Sequence, residues 1–241
     1  AENRVYPQGR EAAHVLGLTD VDGRGIAGAE RFFDGPLRRG DALELSIDIR
    51  IQALLRRELA TAVAEFEALG AAGLVLDVRT GETLGMVSLP DFDPNVPASA
   101  RGESAFNRVA KGVYEMGSTL KLINTAMALD SGTVTLSDGY DATKPIRVAR
   151  FTISDFHALN RWLSVPEILV YSSNIGAAKM ALDVGSATQR AYLDRFGLLK
   201  SAATELPEVG VPLMPARWRD INTMTIAYGH GLAVSPVQLA G

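Results

Sequence analysis

The stretch Gly112-Val-Tyr-Glu-Met-Gly-Ser-Thr-Leu-Lys-Leu-Ile-Asn-Thr-Ala-Met-Ala-Leu-Asp-Ser131 decides the reading of this chain. It reads as a glycine turn followed at once by an amphipathic helix. Ser118 stands where the helix should start, and Lys121 follows three residues on, so the two side chains share one face. A serine hydroxyl is too basic to attack an acyl carbon at neutral pH unless a neighbour takes its proton. A lysine amine can do so once burial or a nearby cation has lowered its pKa. The helix N-terminus adds backbone N–H donors and the positive end of a dipole, suited to an oxyanion. Ser-X-X-Lys alone is a cheap pattern, with about one chance match in a chain of this length. A helix cap beside a solvated lysine is the ordinary reading of the bare four residues. Here the helix after Lys121 is apolar at Leu122, Ile123, Ala126, Met127, Ala128 and Leu129. That composition predicts burial on most sides, and a lysine at the start of a buried helix needs a reason.

A second element supplies one. Ser172-Ser173-Asn174 lies between an apolar helix-like segment, Val165 to Val170, and another, Ile175 to Leu182. Ser-X-X-Lys, Ser-X-Asn and Lys-Thr-Gly together are the signature of penicillin-binding proteins and class A β-lactamases. Two of the three are present, in that order, and the chain resembles the transpeptidase region of class B penicillin-binding proteins. Further likenesses run along nearly the whole chain: Arg4, Tyr6 and Pro7; Gly25, Gly28 and Glu30; Asp48 and Gln52; Thr80 to Glu82; Asp93 to Asn95; and Tyr228 to Gln238. With Ile153-Ser154-Asp155-Phe156-His157, the resemblance is greatest to the septal, cell-division type of Gram-negative bacteria. Many relatives carry proline and phenylalanine where this chain has Met116 and Leu120, and no Lys-Thr-Gly or Lys-Ser-Gly occurs anywhere.

The resemblance implies an α+β fold of the β-lactamase-like serine acyltransferase kind, with an antiparallel sheet, flanking helices and a helical lobe. Residues 1–45 would be the end of an N-terminal pedestal and residues 46–241 a C-terminally incomplete transpeptidase domain. It implies that Ser118 attacks the D-Ala-D-Ala end of a peptidoglycan stem peptide, with Lys121 as base. Ser172 would relay a proton, and Asn174 would hold the Lys121 ammonium and the substrate amide. Ser118, Ser172 and Asn174 are thus the expected substrate contacts as well, and no metal or cofactor is implied. β-Lactams would acylate Ser118. The implied partners are stem peptides, a SEDS-type glycosyltransferase and other divisome proteins, at the periplasmic face of the inner membrane. Two other classes stay open: a D,D-carboxypeptidase or serine β-lactamase, and a non-catalytic β-lactam sensor or divisome scaffold.

Composition narrows the field independently. A formal net charge of -4 argues against a general nucleic-acid binder, and the absence of cysteine excludes disulfides and thiolate chemistry. No apolar run approaches the length that spans a bilayer. Ser235-Pro236-Val237-Gln238-Leu239-Ala240 begins a helix with a cap and a proline at its first position. With the absent third motif, it leads to the expectation of a piece of a longer protein, lacking a membrane anchor in front and the Lys-Thr-Gly strand behind.

The rest of the pattern supports this organisation. Ile51, Leu54, Leu55, Leu59, Val63 and Phe66 recur at helical spacing, predicting an amphipathic helix from Asp48 to Leu69. Gly73 to Val78 and Thr83 to Leu89, joined by Arg79-Thr80-Gly81-Glu82, predict a hairpin. Residues 1–45 read as loops and short strands without a core of their own. Within them, Gly23-Arg24-Gly25-Ile26-Ala27-Gly28 matches a dinucleotide-binding fingerprint, with Asp48 at a suitable distance. Asp34-Gly35-Pro36 breaks the chain too soon for the crossover helix such a motif requires, so the glycines are read as tight turns. His14, His157 and His230 lack partners at metal-ligand spacing, and with Trp162 and Trp218 they are read as structural. For His157, a place with Asp155 at the border of the cleft is the alternative.

Overall fold

The computed structural model describes residues 4–241, so residues 1–3 of the expected pedestal segment lie outside the described residues. The chain forms two compact units. One takes the residues up to Val113 with Ser201–Val211 and Ser235–Gly241, the other Tyr114–Lys200 with Pro212–Val234.

The first unit begins with α1 (Ala13–Leu16), β1 (Leu18–Thr19), β2 (Gly25–Ala27), α2 (Gly28–Phe32) and α3 (Asp34–Arg38). Three short helices therefore stand where the sequence predicts loops and short strands. Helices of four or five residues carry no full apolar repeat to read, and Pro36 sits within the first turn of α3, where its missing N–H costs nothing. The glycine fingerprint folds as a tight antiparallel pair, β1 with β2, followed by the five-residue α2, and no crossover helix follows. Gly28 has φ +58°, and a Cβ there would lie 2.5 Å from the Gly17 nitrogen, so close backbone approach explains it.

The long helix α4 (Ile49–Glu65) starts at Asp48, whose carboxylate accepts the Arg50 backbone N–H at 2.9 Å. It lies on the hairpin of β3 (Ala71–Leu76) and β4 (Thr83–Leu89), which pair antiparallel from Ala71 opposite Leu89 to Leu76 opposite Thr83. Gly73 permits this packing, since a Cβ there would come 2.7 Å from the Leu59 side chain. Gln52 is 1% exposed and pins helix to strand. Its amide donates to the carbonyls of Glu11 (2.6 Å) and Met86 (2.8 Å), and its oxygen accepts the Met86 N–H at 2.8 Å. The core beside it gathers Ala12, Val15, Met86, Val109, Ala110, Leu206 and Val237.

The second unit opens with β5 (Tyr114–Glu115), a 3₁₀ turn at Gly117–Thr119, and α5 (Leu120–Asp130). Two small antiparallel pairs follow: β6 (Gly139–Asp141) with β9 (Trp162–Ser164), and β7 (Ile146–Val148) with β8 (Phe151–Ile153). Then come α6 (Val165–Val170), α7 (Asn174–Val184), α8 (Ser186–Arg195), α9 (Asp220–Ala227) and β10 (Ala233–Val234), which pairs with β5. The Ser164 and Glu167 capping box starts α6. The chain then re-enters the first unit as α10 (Pro236–Ala240), opened by a second capping box from Ser235 and Gln238.

The core of this unit packs α5, α6 and α7 through Met127, Ala128, Ile168, Ile175, Met180 and Ala181. In α5 the sequence-based expectation needs correction. Leu122 is 57% exposed and Ala126 is exposed, whereas Lys121, Asn124, Thr125 and Ala128 are buried. These four lie on one stripe at spacings of three and four, and the Asn124 amide donates to the Ala177 carbonyl of α7 at 3.2 Å. The buried face of α5 thus mixes these polar residues with Leu120, Met127 and Ala128. Mixed helices and antiparallel strand pairs make the fold α+β, as the sequence implies.

Candidate active site

Gly117 has φ +56° and turns the chain sharply into the helix, so Ser118 stands at the mouth of α5 with no side chain capping the turn. Lys121, one turn later, points inward and is 1% exposed. The loop between α6 and α7 brings in the second motif. Ser172 has φ +54°, a left-handed conformation that costs a non-glycine residue about 1 kcal/mol or more. That twist aims both its hydroxyl and its carbonyl at Lys121.

The four predicted residues meet at one nitrogen. Lys121 Nζ lies 3.0 Å from Ser118 Oγ, 2.9 Å from Ser172 Oγ, 2.7 Å from the Ser172 carbonyl oxygen and 2.7 Å from Asn174 Oδ1. Ser172 Oγ donates to Ser118 Oγ at 2.9 Å, closing a triangle of two hydroxyls and an amine. The Asn174 amide nitrogen donates to the Ser154 carbonyl at 3.0 Å, which fixes Oδ1 toward the lysine.

The valences can be counted. The Ser172 carbonyl and Asn174 Oδ1 can only accept, so two N–H bonds of Lys121 are committed to them. In the ammonium form the third N–H goes to a hydroxyl. In the neutral amine that position is a lone pair, directed at the hydroxyls of Ser118 and Ser172. Burial pushes the Lys121 ammonium down to about 8, against a smaller opposing pull from the Asp155 carboxylate. A usable fraction of neutral amine is therefore present near neutral pH.

Sequence reasoning gave Ser173 no role and placed Asp155 only beside His157 at the border of the cleft. Asp155 accepts the Ser173 hydroxyl at 2.8 Å and the Ile175 N–H at 2.9 Å, and Ser173 in turn caps α7 through the Gly176 N–H at 2.9 Å. Together they hold the turn that carries Ser172 and Asn174. The signal was a serine one residue before an apolar helix, the usual place for an N-cap. His157 is exposed, packs edge-on against Phe156 and takes no part in the cluster. His14 is buried, with Nε2 donating to the Ser104 carbonyl at 2.9 Å, and Trp218 donates to Gln189 at 3.0 Å. These contacts fit the structural roles read from the sequence.

Comparison with known proteins agrees with this geometry. Residues 71–241 match the penicillin binding protein transpeptidase domain. The chain is 43% identical to the probable peptidoglycan D,D-transpeptidase FtsI of Caulobacter vibrioides, covering 99% of this chain and 41% of that protein. It is 37% identical to the peptidoglycan D,D-transpeptidase FtsI of Escherichia coli K12, over 98% of this chain and 45% of the relative. The chain thus spans less than half the length of these relatives. Among solved structures, penicillin binding protein 3 of Mycobacterium tuberculosis superposes with a TM-score of 0.88 at 25% identity, over 99% of this chain and 57% of that one. The match over most of the chain and the cluster at Lys121 lead to one assignment: this chain belongs to the penicillin-binding protein transpeptidase family.

Proposed function

We propose that this chain is the nucleophile-bearing part of a septal class B penicillin-binding protein, a serine D,D-transpeptidase that cross-links peptidoglycan stem peptides. The observation that carries this reading is the convergence of Ser118, Ser172 and Asn174 on the buried amine of Lys121. The Lys121 lone pair takes the Ser118 proton as Oγ bonds to the penultimate D-Ala carbonyl carbon. The backbone N–H groups at this helix start, which no side chain caps, are the proposed donors to the developing oxyanion. The C–N bond to the last D-Ala then breaks, and the Ser172 hydroxyl passes a proton from Lys121 to the departing nitrogen. An amine from a neighbouring stem attacks the acyl-enzyme, loses its proton to Lys121 and restores the Ser118 hydroxyl. Asn174 keeps the amine aimed during both halves and meets the substrate amide.

The relatives named as D,D-transpeptidases support the substrate class, and penicillin binding protein 3 has also been solved in complex with aztreonam. β-Lactams are accordingly proposed to acylate Ser118. By the same kinship we assign residues 1–45 to the end of a pedestal and 46–241 to the transpeptidase domain. A glycosyltransferase of the SEDS type and divisome proteins are the proposed partners, at the periplasmic face of the inner membrane. Among the described residues no helix is long and apolar enough to cross a membrane.

The test is the intact mass of the folded protein after incubation with a penicillin, beside Ser118→Ala. A stable adduct on the parent alone is expected. A folded parent that stays unmodified would remove acyl transfer from this chain, leaving a binding role.

A further inference from the structure

A second charged cluster lies just upstream of the nucleophile, and the reaction described above does not use it. Glu115 ends β5, three residues before Ser118. Its carboxylate accepts the Gly231 N–H at 2.6 Å with one oxygen and meets His230 Nδ1 at 3.0 Å with the other. Both bonds hold the Glu115 carboxyl below the usual carboxylate range. Two residues further on, the Gly117 N–H donates to the Gly229 carbonyl at 3.3 Å. The turn at 229–231 is thus tied to the approach to Ser118 at both of its ends. The contact between the two turns is close: a Cβ on Gly229 would fall 1.9 Å from the Gly117 oxygen. Gly229 and Gly231 also need φ of +89° and +83°, which only glycine adopts without strain.

The far side of this clasp leads into the core. Tyr228 packs with Ile153, Ala178 and Met224, and its ring meets His230 edge-on at 5.5 Å. Ile153 precedes Ser154, the acceptor for Asn174, and Ala178 lies in the helix that Asn174 opens. The clasp therefore joins the nucleophile turn to the same packing that carries the Ser172 and Asn174 turn. No side chain caps the turn at Ser118, and the Gly117 to Gly229 bond is long, so the stronger fixation comes from Glu115.

We infer that Glu115 is a positioning residue for Ser118, acting through His230 and Gly231 to hold the nucleophile turn against the Ser172 turn. It touches no reacting atom. This inference rests on the proposed acyl transfer at Ser118, and the test separates the two. Acylation by a fluorescent penicillin is followed over a concentration series in the parent, Glu115→Ala and Glu115→Gln, all checked for folding. The alanine variant is expected to lower the limiting acylation rate about 10- to 100-fold, with the concentration for half-maximal rate within about twofold. Glutamine is expected to recover most of the rate, because its oxygen still accepts the Gly231 N–H. Equal rates in parent and alanine variant, or glutamine no better than alanine, would overturn the inference. Should the folded parent not be acylated, the functional reading fails and amide exchange decides the positioning claim. Faster exchange at Gly117 in Glu115→Ala, with α5 unchanged and glutamine restoring protection, supports it; equal protection in all three removes it.

Discussion

Gln52 in α4 and Lys121 in α5 are both long polar side chains, both 1% exposed, and both hydrogen-bonded throughout. Their partners differ in kind. Gln52 donates to two backbone carbonyls and accepts from one backbone N–H, groups that keep one role at any pH. Lys121 has two such fixed acceptors and, beside them, two hydroxyls that can donate or accept. The first arrangement has a single protonation state and is a structural pin. The second has two, close in energy, and the proton can leave along a path already built. Burial of a polar group says little about function until the partners are examined for what they can exchange.

The largest expected effect comes from removing the exchangeable group. Lys121→Met should lower penicillin acylation by about 10²- to 10⁴-fold, the usual share of a general base. Its thermal midpoint should hold or rise, since an apolar side chain of similar length relieves the cost of burying an amine. A fall in both rate and midpoint would place Lys121 with Gln52 as a structural group.

Titration sharpens the same contrast. Below pH about 8, the acylation rate of the parent should rise about tenfold per pH unit and level off above it, as Lys121 deprotonates. Asn174→Asp puts a carboxylate at the 2.7 Å position, favours the ammonium and should move that inflection to higher pH. An inflection that stays in place would mean that another group controls the rate. Stability carries the matching signature. Lys121 is depressed from 10.5 to about 8 on folding, so the unfolded chain binds more protons between those values. The parent should therefore gain stability relative to Lys121→Met as pH rises through that window, by about 3 kcal/mol. Urea unfolding of both proteins at pH 7.5 and 10.5 measures it, and a flat difference would contradict the assigned shift.

Gln52→Leu should show the opposite profile, losing about 1–3 kcal/mol through the orphaned Met86 and Glu11 backbone groups while acylation per folded molecule is unchanged. The smallest effect belongs to Leu122→Ala on the exposed side of α5, within about 0.5 kcal/mol by the same unfolding assay. A larger loss would mean that this face is covered in solution.

These contrasts mark what was legible from the residues. The hairpin, α4, the α6 and α7 pair and the capped start of the closing helix all followed from period and cap chemistry, because each has an apolar face or a local hydrogen-bond motif in the sequence itself. The four site residues were legible because Ser-X-X-Lys and Ser-X-Asn are each local. Their meeting was not, since the Ser172 twist that turns its carbonyl to Lys121 leaves no mark on the residue type. The orientation of α5 was misread for a related reason. Counting apolar residues favoured Leu122 and Ala126 for the inside, but the Asn124 amide had a partner that α7 supplies. The three short helices near the N-terminus are too brief to carry a period, and Glu115 gained its role from a histidine far along the chain.

The order in which the units appear along the chain also decides how far apart their packing partners lie in sequence. Met86, Val109 and Ala110 share their core with Leu206 and Val237, which follow only after the whole of 114–200. The helices α5 to α8 belong to the other unit and are contiguous, so the Lys121 cluster is drawn from one uninterrupted stretch, while the hairpin's core closes over the long loop those residues make. The first unit's core therefore carries the larger loop-closure entropy, and until that loop closes its apolar strands stay open to mispairing.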